Sequence, residues 1–293
     1  MKSQVALFLA VYALAVIGVA VFQRRLMYFP DRRLTHPAAV GMSGVEELKL
    51  VTDDDETLVA WHVPPREGYP LILYFHGNGG SLIDRAPRFR LLIASGYGLL
   101  AISYRGYGGS TGSPTETGLM RDGETAYREA RKRGYPSGRI VLMGESLGTA
   151  VAIVLAANHD AAALVLDSPY SSAVDVAAAH YWMLPVRWLL TDRFRTDLAI
   201  RDVHIPILVV HGNQDYIIPI RLALRLFDLA NEPKTFMAVS GEGHLVLDAP
   251  GVFPRVRDWI DARTNVMRQN GEAFERGGDK PLRKSLNNIR QDD

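Results

Sequence analysis

The sequence predicts an α/β fold: a doubly wound, mostly parallel sheet with a short helical cap insertion and an N-terminal transmembrane helix. Three observations support this prediction. From residue 71 onward, short apolar runs alternate with helical stretches, which is typical of parallel strands covered on both faces. The segment 171–202 is long for a connection and rich in apolar and aromatic residues. Residues 5–22 form an uncharged apolar stretch.

The composition is that of a globular protein and argues against several functional classes. The chain has 293 residues, of which 47% are hydrophobic, and a formal net charge of +1. This length suits one large domain with additional segments. The balanced charge argues against a nucleic-acid-binding protein, which normally carries a basic excess. Cysteine is absent, so disulfides, a thiolate nucleophile and cysteine metal ligands are excluded.

The first segment predicts an uncleaved membrane anchor at residues 1–25. The apolar stretch 5–22, at about 1.5 Å per residue, makes roughly 27 Å of helix, close to the thickness of a hydrocarbon core. A cleaved signal peptide is the alternative, because Lys2 gives a charged start and residues 18–20 are small. The run exceeds the signal core of about 7–15 residues and ends in Gln-Arg-Arg at 23–25, which favours the anchor.

Charge asymmetry around this stretch predicts a membrane orientation. Four arginines follow it within a few residues, whereas Lys2 and the terminal amine precede it. By the positive-inside rule, the catalytic domain of this single-pass protein is expected on the cytoplasmic face.

The predicted domain spans residues 26–267. It opens with a hairpin, because Glu46–Val51 and Thr57–Val63 alternate in hydrophobicity around three consecutive aspartates. The following apolar runs predict buried strands, and the stretches between them predict helices. The strands are expected at 71–75, 99–104, 140–143, 163–167, 207–210 and 235–239, and the helices at 83–94, 116–133, 147–158 and 220–230.

Two segments depart from this alternation. The segment 171–202 is predicted to be a helical cap insertion over the carboxyl edge of the sheet, where sites form in open α/β sheets. Residues 268–293 are polar and dense in charge, which predicts a disordered tail.

A G-x-S-x-G pentapeptide predicts the nucleophile. The sequence Gly-Glu-Ser-Leu-Gly at 144–148 follows a predicted strand and precedes a predicted helix. Alone the pentapeptide is a weak signal, but a strand–turn–helix context places its serine on a sharp turn with the hydroxyl exposed. Glycines on both sides leave room for the neighbouring strand and helix. Ser146 is therefore the predicted nucleophile, with a surface turn carrying an incidental serine as the alternative.

A serine hydroxyl needs a base within hydrogen-bonding reach. Asp215 and His244 each follow a predicted strand, so both fall on loops at the edge where the serine turn emerges, in the chain order nucleophile, acid, histidine. His244 is predicted to accept the serine proton and later protonate the leaving group, while Asp215 fixes its tautomer. Asp167 also ends a strand and is the alternative acid.

The tetrahedral transition state needs two positioned donors for its oxyanion. The backbone N–H of Leu147, directly after the nucleophile, is the first. The glycine-rich loop 75–80 supplies the second, assigned to the backbone N–H of Asn78 with Gly79 as the alternative. A phosphate-binding loop is the other interpretation, but the loop lacks the required lysine and glycine spacing.

The other histidines do not suggest a metal site. The eight histidines are scattered, without an H-E-x-x-H motif, and no cofactor motif is present. We therefore expect neither a metal nor a cofactor. His211 is expected to satisfy backbone groups near Asp215, His180 to pack within the insertion, and His62 to have no catalytic role.

Together these segments resemble the α/β-hydrolase superfamily, and within it the membrane-anchored branch of α/β-hydrolase-domain proteins, whose eukaryotic relatives include protein depalmitoylases. The resemblance spans about 22–259 and implies Ser146, Asp215 and His244 as the triad, with Asn78 and Leu147 as amide donors. Glu145 departs from the neutral or basic residue expected there, so we expect its carboxylate to point away from the oxyanion or to be paired. The matching stretches are 22–30, 76–79, 104–108, 144–149, 167–170, 210–215 and 243–244.

The expected activity is hydrolysis of a carboxylic ester or thioester through an acyl-serine intermediate. The anchor and the apolar stretch 181–190 favour an acyl-chain or lipid-like substrate that enters near the bilayer. A serine peptidase or amidase of the same fold is one alternative, and a non-catalytic membrane-anchored scaffold is another.

Overall fold

The computed structural model describes residues 1–264 and residue 266, so the predicted tail lies outside the described residues. An eight-stranded sheet forms the centre, in the order β10-β9-β8-β7-β4-β6-β3-β2. The hairpin strands β2 and β3 are antiparallel, β3 is antiparallel to β6, and the remaining pairs are parallel. The strands are β1 (Phe29–Pro30), β2 (Glu46–Val51), β3 (Thr57–Val63), β4 (Leu71–Phe75), β5 (Gly79–Gly80), β6 (Gly98–Ile102), β7 (Ile140–Glu145), β8 (Ala163–Asp167), β9 (Ile207–Gly212) and β10 (Lys234–Val239).

Helices cover both faces of this sheet, which confirms the predicted doubly wound α/β fold. Every residue of β4, β6 and β8 is buried, as the continuous apolar runs predict. The helices are α1 (Lys2–Met27), α2 (Ala86–Ala94), α3 (Glu116–Lys132), α4 (Leu147–Asn158), α5 (Ala173–His180), α6 (Val186–Leu189), α7 (Thr196–Ala199), α8 (Ile220–Leu229) and α9 (Val252–Thr264).

Alternate strand residues face two separate cores. Leu73, Leu100 and Leu142 pack with α3, α4 and α8 on one face, whereas Ile72 and Val141 pack with α2 and α9 on the other. The sequence analysis assigned no helix at α9. Its apolar residues are spaced three and four apart among charged ones, so the segment forms a helix whose one apolar stripe covers the sheet.

Helix α1 is long and apolar enough to cross a membrane, with a mean hydropathy of 2.8 over its best window and none of that window buried. It lies beside the insertion, which contains α5, α6 and α7. The Tyr12 hydroxyl donates to the Met183 carbonyl at 2.8 Å, and Arg24 forms an ion pair with Asp192 at 3.0 Å.

The chain leaves α1 along the domain surface. Tyr28 is only 4% exposed. Its ring packs edge-to-face on Phe194 at 6.5 Å between centroids. Next, β1 pairs in parallel with β5, in the register Phe29 to Gly79. A two-residue ladder is too short to show a hydrophobic period, so sequence analysis does not find it.

Close packing of α3 on α4 gives a first testable prediction. A Cβ at Gly123 would lie 2.4 Å from the Val151 Cγ1 atom. We expect Gly123→Ala to lower the free energy of unfolding by about 1–3 kcal/mol through overpacking, measured by denaturant unfolding in detergent. Gly138→Ala is the matched control, because its Cβ would meet no atom within 4 Å. Equal stability of the two variants would contradict the packing argument.

Candidate active site

Ser146 lies on a sharp turn between β7 and α4. Its backbone is in the left-handed region, with φ 47° and ψ −117°, which strains a non-glycine residue. The turn is possible because both flanking positions lack side chains. A Cβ at Gly144 would lie 2.5 Å from the Gly148 carbonyl oxygen, and one at Gly148 would lie 2.1 Å from the Phe75 carbonyl oxygen. The predicted strand–turn–helix context of the pentapeptide is present.

Asp215 and His244 are in direct contact on the loops after β9 and β10. The His244 Nδ1 atom lies 2.7 Å from the Asp215 Oδ2 atom. The Ile217 and Ile218 N–H groups both donate to Asp215 Oδ1 at 2.8 Å. Burial raises the pKa of Asp215, but the hydrogen bonds from His244 and Ile218 lower it more, so the net pKa lies below its usual value. The carboxylate is therefore charged and accepts a hydrogen bond from His244 Nδ1, which leaves Nε2 as the unprotonated ring nitrogen.

His211 is a buried residue next to Asp215. It is fully buried, and its Nε2 atom donates to the Ile218 carbonyl at 2.8 Å, so it satisfies a backbone group near Asp215 as the sequence suggested. Burial lowers the pKa of His211, which keeps the imidazole neutral. The sequence predicts that His180 packs within the insertion, but it is exposed and its Nε2 atom donates to the Ile217 carbonyl outside the insertion at 2.9 Å. His62 pairs with Glu46 on the hairpin.

Asp167, the alternative acid, has other partners. Its carboxylate lies 3.0 Å from Arg88 and accepts the Val246 N–H at 3.0 Å. The neighbouring Ser168 hydroxyl accepts the Leu245 N–H at 3.1 Å. Both residues therefore hold the loop directly after His244, and the geometry favours Asp215 as the partner of His244.

The two predicted oxyanion donors flank the serine turn. Leu147 is the first residue of α4, and Asn78 lies in the loop between β4 and β5. Within residues 1–264, neither of these two backbone N–H groups donates to a protein acceptor. Helix α4 also directs the positive end of its dipole toward the turn. A free amide at a helix start, such as that of Leu147, suits an oxyanion.

His76 fixes the loop that carries Asn78. Its Nδ1 atom donates to the Gly77 carbonyl at 2.7 Å, and the Tyr104 N–H donates to Nε2 at 3.4 Å. Burial lowers the pKa of His76 to about 4, so the ring is neutral at physiological pH and keeps this donor–acceptor pattern.

Glu145 is buried beneath the site and paired. This is one of the two arrangements that the sequence analysis expected for its carboxylate. It accepts hydrogen bonds from Arg85 at 2.7 Å, from the Gly77 N–H at 2.6 Å and from the Tyr74 hydroxyl at 2.5 Å. Burial opposes its charge, but Arg85 and Arg88 lower the pKa of Glu145 to about 2. The carboxylate is thus neutralised by two guanidinium groups and does not oppose an oxyanion.

Arg88 joins the parts of this site. Besides Glu145 and Asp167, each at 3.0 Å, it contacts Asp248 at 3.0 Å. Asp248 belongs to the loop that follows His244, so one guanidinium connects the serine turn, the end of β8 and the histidine loop. The sequence analysis did not identify Arg85 or Arg88. The only sequence signal was the acidic residue at position 145, which needs a cationic partner when buried.

Removing the negative charge of Glu145 should destabilise the protein. We expect Glu145→Gln to lower the free energy of unfolding by about 3–5 kcal/mol, because two buried guanidinium groups lose a charged partner. Asp53→Asn is the matched control, since Asp53 and Arg128 form an exposed pair and little change is expected. Urea unfolding of both variants in detergent measures the difference, and a Glu145→Gln variant as stable as the control would refute this role.

Comparisons with known proteins identify relatives of this chain. A family model described as alpha/beta hydrolase fold matches residues 70–199. An uncharacterised Mycobacterium tuberculosis protein is 39% identical over 80% of this chain and 86% of its own length. Protein bem46 of Schizosaccharomyces pombe is 33% identical over 77% of this chain and 81% of its own. Lysophosphatidylserine lipase ABHD12 of Danio rerio is 28% identical over 77% and 67%.

Solved structures show the same fold. The Pyrococcus furiosus esterase Pf2001 superposes with a TM-score of 0.62 at 20% identity, over 82% of this chain and 97% of that one. A Paleococcus ferrophilus monoacylglycerol lipase superposes with a TM-score of 0.54 at 19% identity, over 76% and 99%. This chain belongs to the α/β-hydrolase superfamily, in the branch of α/β-hydrolase-domain proteins that includes ABHD12 and bem46.

Proposed function

We propose that the protein is a serine hydrolase that cleaves a carboxylic ester or thioester through an acyl-serine intermediate. The observation that carries this proposal is the 2.7 Å contact between His244 Nδ1 and Asp215, at the same sheet edge as the strained Ser146 turn. A charged carboxylate on Nδ1 makes Nε2 the basic nitrogen of the ring.

In the proposed reaction, the Ser146 hydroxyl oxygen attacks the carbonyl carbon while its proton moves to His244 Nε2. The carbonyl oxygen becomes an oxyanion, which accepts hydrogen bonds from the Asn78 and Leu147 N–H groups. The tetrahedral species collapses, the bond to the leaving oxygen or sulfur breaks, and His244 returns its proton to the leaving group. Water then attacks the acyl carbon while His244 Nε2 takes a proton from it. The bond from the acyl carbon to the Ser146 oxygen breaks, and His244 returns the proton to that oxygen, so that the carboxylic acid leaves and the serine is restored.

A fluorophosphonate probe tests the nucleophile. Wild-type protein is expected to be labelled, and Ser146→Ala to show no labelling because the attacking oxygen is gone. His244→Ala and Asp215→Asn should slow labelling by about 10³–10⁴-fold, since base and tautomer are lost. Ser95→Ala, an exposed serine on the far end of α2, is the matched control and should label as wild type. A folded wild-type protein without labelling would instead favour a scaffold.

The substrate class is proposed to be an acyl-chain or lipid-like ester. Four large side chains of the insertion are exposed: Trp182 is 80% exposed and Trp188 is 86% exposed, and Tyr181 and Met183 lie beside them. The neighbour ABHD12 is named a lysophosphatidylserine lipase, and a structural neighbour is named a monoacylglycerol lipase. Apolar surface next to a hydrolytic site suits substrates that partition into a bilayer.

We also propose that α1 anchors the protein in a membrane. The hydrogen bond from Tyr12 to Met183 places the insertion beside the apolar part of α1, well before its charged end at Arg24. A bilayer that surrounds α1 would therefore also meet Trp182 and Trp188, residue types that favour the membrane interface. The arginines after the apolar stretch support the cytoplasmic orientation.

These two tryptophans should matter only for membrane-borne substrates. We expect Trp182→Ala/Trp188→Ala to lower kcat/KM about tenfold or more on a long-chain ester in vesicles, because apolar surface that meets the bilayer is lost. Activity on a soluble short-chain ester should stay close to wild type, which serves as the internal control. Equal losses on both substrates would argue against a bilayer route.

A further inference from the structure

Residues 27–31, here called the strap, connect helix α1 to the hydrolase domain. The strap does not run through solvent but lies along the loop that carries the proposed oxyanion donor. Its β1 residues pair in parallel with β5, and the Asp31 N–H donates to the Gly80 carbonyl at 3.2 Å. The strap is therefore hydrogen-bonded to Gly79 and Gly80, the two residues that directly follow Asn78.

The Asn78 carboxamide is held by three partners. Its Nδ2 atom donates to the Met27 carbonyl. Its Oδ1 atom accepts the Phe29 N–H at 3.3 Å and the Tyr107 hydroxyl at 3.0 Å. Two of the three partners are backbone groups of the strap, so the side chain is fixed in one orientation with both its donor and its acceptor in use.

Tyr107 completes this arrangement from the other side. Burial raises the pKa of Tyr107 well above its usual value, so the hydroxyl keeps its proton and donates. The turn after Tyr107 is also hydrogen-bonded to the strap, because the Gly108 N–H donates to the Asp31 carbonyl at 2.7 Å. The strap thus lies between this turn and loop 75–80, here called the oxyanion loop because it carries the proposed donor Asn78.

We propose that the strap is part of the active site, because it positions the Asn78 backbone N–H toward Ser146 through the Asn78 side chain. This inference rests on the proposed hydrolase function. An oxyanion donor accelerates the reaction only when it is held in place before the charge develops. Three hydrogen bonds restrain the Asn78 side chain and thereby the backbone N–H of the same residue. The Asn78 side chain therefore positions its own N–H, and Tyr107 is a positioning residue.

The opposite side of the strap contacts the insertion. The Tyr28 hydroxyl donates to Asp192 at 3.1 Å, and Asp192 also pairs with Arg24 of helix α1. The strap consequently links the end of α1, the insertion and the oxyanion loop by direct hydrogen bonds.

The test uses the full chain with two variants, assayed on p-nitrophenyl butyrate. Tyr107→Phe removes one hydrogen bond, and we expect kcat to fall about threefold to tenfold. Asn78→Ala removes all three side-chain bonds while keeping the N–H, and kcat should fall about 10–100-fold, short of the full loss of a donor. KM should change little in both, because the donor acts on the transition state.

A second readout separates positioning from a structural defect. An aryl trifluoromethyl ketone forms an oxyanion on the serine, so its affinity should weaken by the same factor as kcat in each variant. The affinity for butyrate, which forms no such adduct, should stay unchanged. A partly unfolded enzyme would show fewer active molecules with unaltered inhibitor affinity.

The matched control is Tyr127→Phe, which removes a hydroxyl that donates to the Asp160 carbonyl at 2.7 Å, away from the site. It should keep wild-type kcat and inhibitor affinity. If the wild type hydrolyses the ester and Asn78→Ala matches it in kcat and ketone affinity, the strap inference fails while the hydrolase proposal stands. If the wild type neither hydrolyses esters nor reacts with the ketone, the proposed function itself fails.

Discussion

The arrangement of the site depends on the burial of Arg88 among carboxylates. A guanidinium group taken out of water is costly unless it is fully paired, and Arg88 has Glu145, Asp167 and Asp248 as partners at 3.0 Å. These three residues lie on the serine turn, at the end of β8 and on the loop after His244. Glu145 and Asp167 are buried and cannot separate from Arg88 without that cost, whereas Asp248 is half exposed. Since Asp167 also accepts the Val246 N–H, the loops that carry Ser146 and His244 hold a fixed relative position.

The same cluster explains how an acidic residue is tolerated next to Ser146, the proposed nucleophile. Glu145 is held by Arg85 and Arg88 and also accepts the Gly77 N–H, so its charge is used to fix the start of the oxyanion loop. A neutral residue there would leave this N–H and both guanidinium groups without that partner. The departure from the family pattern is therefore compensated within the protein by two arginines of the segment that begins α2, and the carboxylate contributes to the site's rigidity.

Sequence reasoning located the residues whose positions follow from strand order. Parallel strands deliver Ser146, Asp215 and His244 to one edge of the sheet, and each of these residues lies in the turn or loop after an apolar run that is visible in the sequence. It did not find Arg88, because an arginine on an amphipathic helix is expected to face solvent, and only the three-dimensional fold shows which carboxylates surround it. It also missed the strap, since a two-residue ladder has no periodicity and its partners are fifty residues apart.

The path of the chain connects the proposed membrane anchor with the chemistry. Between α1 and the sheet, the backbone contacts the insertion through Tyr28 and the oxyanion loop through Asn78. A connection that served only to tether the domain would need no such contacts, and a flexible linker would carry small or polar residues. Here the linker is partly buried and hydrogen-bonded on both sides. If both proposals hold, the same five residues connect the domain to its membrane anchor and position its oxyanion donor.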